Sequence, residues 1–246
     1  MKKKIMFSAI TLLAGSLIAA DSSPKDDITN AAKALGAKNN YSWHQTVVVP
    51  EGSQFRPGPT DGKTEKDGFT HVTMSFGGNT TEIILKGDKA AINTPDNGWQ
   101  SLAELEADQQ GPGQFMGTLV RNFKAPAALV ADIVTNTAEI KKDGDTYSSD
   151  LTENGAKTML SFGRRGGNAA TVSDAKGSVK FWIKDGVLSK YETHVTGKVS
   201  FNGNDRDVDR TTTVEIKDIG TTKVDVSDDA KKKLNPEPAP APKTKA

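Results

Sequence analysis

Val187-Leu188-Ser189-Lys190-Tyr191-Glu192-Thr193-His194-Val195-Thr196-Gly197-Lys198-Val199-Ser200-Phe201 is the stretch on which the reading of the chain turns. Odd positions carry Val187, Tyr191, Val195, Val199 and Phe201; even positions carry Lys190, Glu192, His194, Lys198 and Ser200. A period of two with one apolar face describes a half-buried antiparallel strand. A strand of 15 residues, against a usual length of about five or six, implies a large curved sheet.

The two turns beside it test the register. A two-residue loop at Asp185-Gly186 would set Phe181 against Lys190 and Val179 against Glu192. A three-residue loop, Lys184–Gly186 with Gly186 in the left-handed bulge position, sets Ile183 against Val187 and Val179 against Tyr191. The second keeps one apolar face and is the expectation. On the other side, a four-residue loop over Asn202–Asp205 pairs Val199 with Val208, Thr193 with Val214 and Tyr191 with Ile216. That register places Arg210 on the apolar face opposite Gly197, where a guanidinium needs an acidic partner or an anionic guest.

Further strands are expected over Tyr41–Val49, with Tyr41, Trp43, Val47 and Val49 on one face, and over Phe69–Phe76, Thr80–Leu85 and Lys89–Thr94. Gly77-Gly78-Asn79 and Gly87-Asp88 form turns between them. The middle is helical in spacing: Ser101–Asp108, Gln114–Asn122 and Pro126–Asn136, with Pro126 suited to a first turn. Leu129, Val130, Ile133 and Val134 make one apolar stripe there. Glu139–Lys142 and Thr146–Leu151 read as a hairpin around Asp143-Gly144, and Glu153–Ser161 as a short helix.

The 246 residues contain 32 Lys+Arg, 31 Asp+Glu, 3 His and no cysteine. The absence of cysteine excludes a disulfide framework, a thiolate zinc site and a catalytic thiol. Hydrophobic residues at 35% exclude a polytopic membrane protein, and a net charge of +1 argues against a nucleic-acid partner. Lys2, Lys3 and Lys4 precede the apolar run Ile5–Ala20, which ends in small residues. This is the pattern of a secretory signal peptide over 1–20, with cleavage expected after Ala20. Leu17-Ile18-Ala19-Ala20 looks like a lipobox, but Asp21 stands where an acylated cysteine would be. Without the three leader lysines the +1 total becomes −2. Proline recurs at every second position in the 235–246 tail, which is expected to be disordered and extended. A single folded domain is expected over 25–234, exported to the periplasm or secreted, monomeric, without cofactor or metal.

Candidate chemistry is sparse. Asn202–Asp209 is rich in oxygen ligands, but a calcium loop counted from Asp205 would have Arg210 at its glycine position and Ile216 at its glutamate position. A tight turn with salt bridges is the expectation. His44, His71 and His194 lie mid-strand without metal-motif spacing. Gly163-Arg164-Arg165-Gly166-Gly167 follows a helix and lacks the Lys-Ser/Thr of a phosphate loop, so a surface loop is expected. Ser161 is not in a nucleophile elbow, and no catalytic residue is assigned. The apolar candidates are Phe115, Met116, Leu119, Val120, Phe123 and Ile133 from the middle helices, facing Trp43, Met74, Ile83, Phe181 and Tyr191 from strands. They form either a closed core or a lipid-sized cavity between sheet and helices, with Arg210 as a candidate headgroup anchor.

The order of elements, the Tyr41-Ser42-Trp43 strand and the hairpin Gly177-Ser178-Val179-Lys180-Phe181-Trp182-Ile183-Lys184-Asp185-Gly186-Val187-Leu188 resemble the envelope lipoprotein- and lipid-carrier superfamily that includes LolA, LppX and LprG. The resemblance implies an α+β fold: a strongly curved antiparallel β-sheet, or half-barrel, with helices packed on the concave face and acyl chains held between them. It implies a non-enzymatic carrier or sensor whose partner is a lipid or an acylated protein, or alternatively an envelope interaction module with a filled core and a protein partner.

Overall fold

In the computed structural model, residues 22–53, 56–76, 78–107, 112–161, 171–201 and 203–235 are described. The expected signal peptide over 1–20, the expected surface loop over 163–167 and, apart from residue 235, the expected tail over 235–246 lie outside them. Ser23 caps α1 (Pro24–Gly36) by accepting from the Asp26 N–H, and Asp26 and Asp27 complement the positive helix end. Ile28, Ala31, Ala32 and Leu35 form its buried stripe. β1 (Asn40–Val48), β2 (Pro57–Glu65), β3 (Thr70–Phe76), β4 (Asn79–Lys86), β5 (Lys89–Thr94) and β6 (Gly98–Ser101) follow as a meander. Three helices come next: α2 (Leu102–Ala107), α3 (Pro112–Arg121) and α4 (Pro126–Thr135). β7 (Lys141–Asp143), β8 (Thr146–Asp150), α5 (Glu153–Leu160), β9 (Thr171–Lys184), β10 (Val187–Phe201), β11 (Asn204–Lys217) and α6 (Asp228–Leu234) complete the chain.

All the described strands belong to one antiparallel sheet in the order β6-β5-β4-β3-β2-β1-β11-β10-β9-β8-β7. The chain therefore runs from the middle of the sheet to one edge, crosses over through α2–α4, and returns from the other edge to pair its last strand with its first. The sheet is curved and not closed into a barrel, as the length of β10 led one to expect. Tyr41, Trp43, Val72, Ile83, Ile92, Phe181, Tyr191, Val195 and Val214 share the inner face with α1–α5 in one apolar cluster.

Both turn expectations need correction. The β9–β10 connection is the two-residue Asp185-Gly186, both in the left-handed region at φ 52° and 71°, which matches the twist of the flanking strands. Val187 faces Lys184 and Leu188 faces Ile183; a bulge at Ser189 then shifts the ladder, so that Tyr191 faces Phe181 and Thr193 faces Val179. The extra residue restores the apolar face that a plain two-residue loop would have lost. At the next turn Phe201 faces Asn204 directly, so two residues connect the strands rather than four. The register moves by two positions. Parity is kept, so Arg210 stays on the inner face, opposite Val195 rather than Gly197.

Among the described residues one helix lies on the other side. Ile84 and Ala91 point away from the main cluster and pack with Ala230, Leu234, Phe69, Trp99 and Val226, so α6 covers the outer face of β4–β6. The Glu104 carboxylate of α2 accepts from Lys233 of α6 at 2.7 Å around the β6 edge, and this hydrogen bond draws the Glu104 carboxyl below the ordinary carboxylate range.

Candidate ligand-binding site

The inner wall is built outward from Trp43. On β1 it faces Ile216 of β11 on one side and Gly62 of β2 on the other. Its ring lies flat over Gly62: a Cβ there would stand 1.9 Å from Trp43 Cζ2. Glycine is required because the indole occupies the space any side chain would take. Tyr41 and Trp43 have ring centroids 6.0 Å apart, and Phe123, just past α3, stacks on Trp43 at 6.3 Å with 26° between the planes.

Met74 and Ile83 extend the wall across β3 and β4, while Phe181 and Tyr191 extend it as direct partners across β9 and β10. Met116 and Leu119 reach in from α3, and Ile133 from α4. These residues and Phe123 thus come together in a single cluster. The side chain of Phe115 lies outside the described residues. Four of the sheet-side members are sealed: Phe181 is 0% exposed, Ile83 1%, Tyr191 3% and Trp43 5%. On the facing layer Ile133 is also buried, whereas Met116, Leu119 and Phe123 remain half-buried, as does Met74. Burial pushes the Tyr41 phenol up to about 12, with the Ala127 backbone acting in the opposite direction. It pushes the Tyr191 phenol up as well, with the Tyr41 phenol adding to the effect.

Val72 and Ile92 belong to the same wall and were not among the sequence candidates. Val72 lies two positions before Met74 and Ile92 faces Ile83, so strand alternation carried the signal for both.

Arg210 stands apart, at the α5 end of the inner face. Its Nη2 donates to the Met159 carbonyl at 3.1 Å, and burial pushes the guanidinium's pKa down. A backbone carbonyl is thus one of its partners, where the sequence called for an acid or an anionic guest. The histidines lie on the outer face, each beside a cross-strand carboxylate: His44 with Asp61 at 2.7 Å, His71 with Glu82 at 3.2 Å and His194 with Asp209 at 2.8 Å. Among the described residues no group of three His, Asp or Glu is placed to hold a metal ion.

Two concavities flank α1, of about 390 Å³ and 310 Å³, and neither is lined by the sequence candidates. The smaller is bordered by the Asp27 carboxylate, which accepts from the Tyr147 hydroxyl at 2.8 Å and Lys142 Nζ at 3.0 Å. These bonds tie α1 to the β7–β8 hairpin.

No family model and no curated sequence matches the chain. Among solved structures it is similar to the Mycobacterium tuberculosis lipoprotein LppX, at 10% identity and a TM-score of 0.42, over 82% of this chain and 97% of that one. LprF from Mycobacterium bovis is similar at 12% identity and a TM-score of 0.42, over 84% and 96%. A putative outer membrane lipoprotein-sorting protein domain from Vibrio parahaemolyticus is similar at 12% identity and a TM-score of 0.29, over 85% and 97%. LppX is one of the proteins named in the resemblance above. Among the described residues no helix is long and apolar enough to cross a membrane.

Proposed function

We propose that the protein is an exported, periplasmic, non-enzymatic carrier or sensor of a lipid, a lipoprotein acyl chain or a similar amphiphile. The acyl chains lie between the sheet and the α2–α4 crossover. The observation that carries this reading is how the helices are seated. α1 and α5 lie close against β9 and β10, whereas α3 and α4 make their main contacts with α2 and α1. The layer between α3–α4 and the strands is filled by side chains, among them Met74, Met116, Leu119 and Phe123, which are only half-buried. Methionines adapt their shape cheaply, and displacing such side chains makes room without unpairing any backbone ladder. The seal over Trp43, Ile83 and Tyr191 favours the second reading, an interaction module with a filled core.

Native mass spectrometry of the protein purified from periplasm without detergent, followed by solvent extraction, separates the two. A discrete adduct of several hundred daltons that extraction removes supports the carrier. A mass that stays bare after incubation with total envelope lipid favours the interaction module. Phe123→Asp, with folding followed by circular dichroism, is expected to abolish lipid uptake while the fold persists, because Phe123 is not fully enclosed. Unchanged uptake would remove Phe123 from the site.

A further inference from the structure

The larger concavity, about 390 Å³, lies outside the sheet–helix interior, where the C-terminal half of α1 crosses the start of α4. Its walls are Ala32 and Gly36 from α1, Ala127, Ala128 and Ala131 from α4, and the Tyr41 ring from β1. The helices approach closely here: a methyl on Gly36 would stand 3.5 Å from the Ala127 Cβ. Lys33, Lys38 and Lys66 form the rim. All three are exposed, and among the described residues none of their ammonium groups has an ion-pair or hydrogen-bond partner. The nearby Glu65 carboxylate is engaged, accepting the Val224 N–H at 3.0 Å.

From this geometry we infer a binding site for a single-chain anionic amphiphile of the alkyl carboxylate type. Its alkyl chain lies along the alanine walls and its head sits among the three lysines. Two features select this class. The Thr64 hydroxyl in the lining already bonds Thr70 at 2.7 Å, so the walls offer little to the amide groups of a peptide, whereas an alkyl chain brings none to satisfy. The start of α4 also contributes positive character: its N-cap is Ala125, with no side-chain acceptor over the first turn. The site goes beyond the proposed carrier function and uses none of the interior wall residues except Tyr41 at its floor.

The test titrates dodecanoate, kept below its micelle concentration, into the purified ¹⁵N-labelled protein, with acetate and dodecyltrimethylammonium as comparisons. The expected result is saturable binding with amide shifts at Lys33, Ala127, Ala128 and Ala131, and none of comparable size with acetate. Ala128→Phe, at an exposed position that fills the groove, is expected to abolish binding. The triple variant Lys33→Glu/Lys38→Glu/Lys66→Glu is expected to weaken dodecanoate by about tenfold or more and to make the cationic amphiphile the better ligand. Absence of saturation, equal affinity for the reversed variant, or shifts confined to Trp43 and Phe123 would each overturn the site. The last outcome would leave the interior carrier site standing, and the lipid extracted from native protein tests that site independently of this groove.

Discussion

Gly62 and Asp27 are the residues whose replacement speaks most directly about the fold. Gly62→Ala drives a methyl into the Trp43 indole, which is stacked on Phe123 and cannot retreat without opening the wall. The expected cost is about 1–3 kcal/mol, read as a lower urea midpoint together with a red shift of tryptophan emission. Asp27 accepts hydrogen bonds from Ser22, Tyr147 and Lys142, which together lower its carboxyl pKa from 3.8 to about 2. A carboxyl pKa lower in the folded than in the unfolded state contributes stability at pH above 3.8, and that contribution is lost as pH falls towards 2. Asp27→Asn should therefore lower the denaturation midpoint at neutral pH and flatten its acid-side slope. An unchanged slope would mean that the Ser22–Tyr147–Lys142 cluster does not couple α1 to the hairpin.

At the scale of elements, Ser189 and α6 make the clearest predictions. Deleting Ser189 removes the bulge and turns Tyr191, Val195 and Val199 towards the wrong face relative to β9. The expected outcome is insoluble or unfolded protein by circular dichroism, whereas Ser189→Ala leaves the fold in place. Leu234, 2% exposed on the outer face, should cost about 2–5 kcal/mol when replaced by alanine, measured by thermal or urea unfolding. The long strands were legible because their alternation repeats over many residues, and the same alternation placed the interior candidates on one face. β2 was not legible: Pro57–Glu65 has no large apolar residue, and it belongs to the sheet because the Trp43 ring covers Gly62. The bulge escaped because a two-residue turn plus one extra residue gives the same facial parity as a three-residue loop. α6 left a trace in Ile83-Ile84-Leu85, an unbroken apolar run that marks a strand covered on both faces. The groove between α1 and α4 is built of alanines and lysines, whose proximity only the tertiary crossing reveals.

For the molecule as a whole, the strand order predicts where the backbone is best protected. β1, β11 and β10 are bonded on both sides, while β6 and β7 are short edges. Hydrogen–deuterium exchange should therefore be slowest through the middle of the sheet and fastest at 98–101 and 141–143. Rapid exchange at the β1–β11 seam would contradict the topology. That seam also sets the kinetics of assembly. Trp43 meets Ile216 only after nearly the whole chain has been made, so each half of the sheet can build its neighbouring hairpins early while the join waits for a contact of very long sequence separation. Until that join forms, β1 is an unpaired edge available to other chains. Slow refolding with concentration-dependent losses follows, eased by any substitution that makes β1 a poorer template without weakening its pairing to β11.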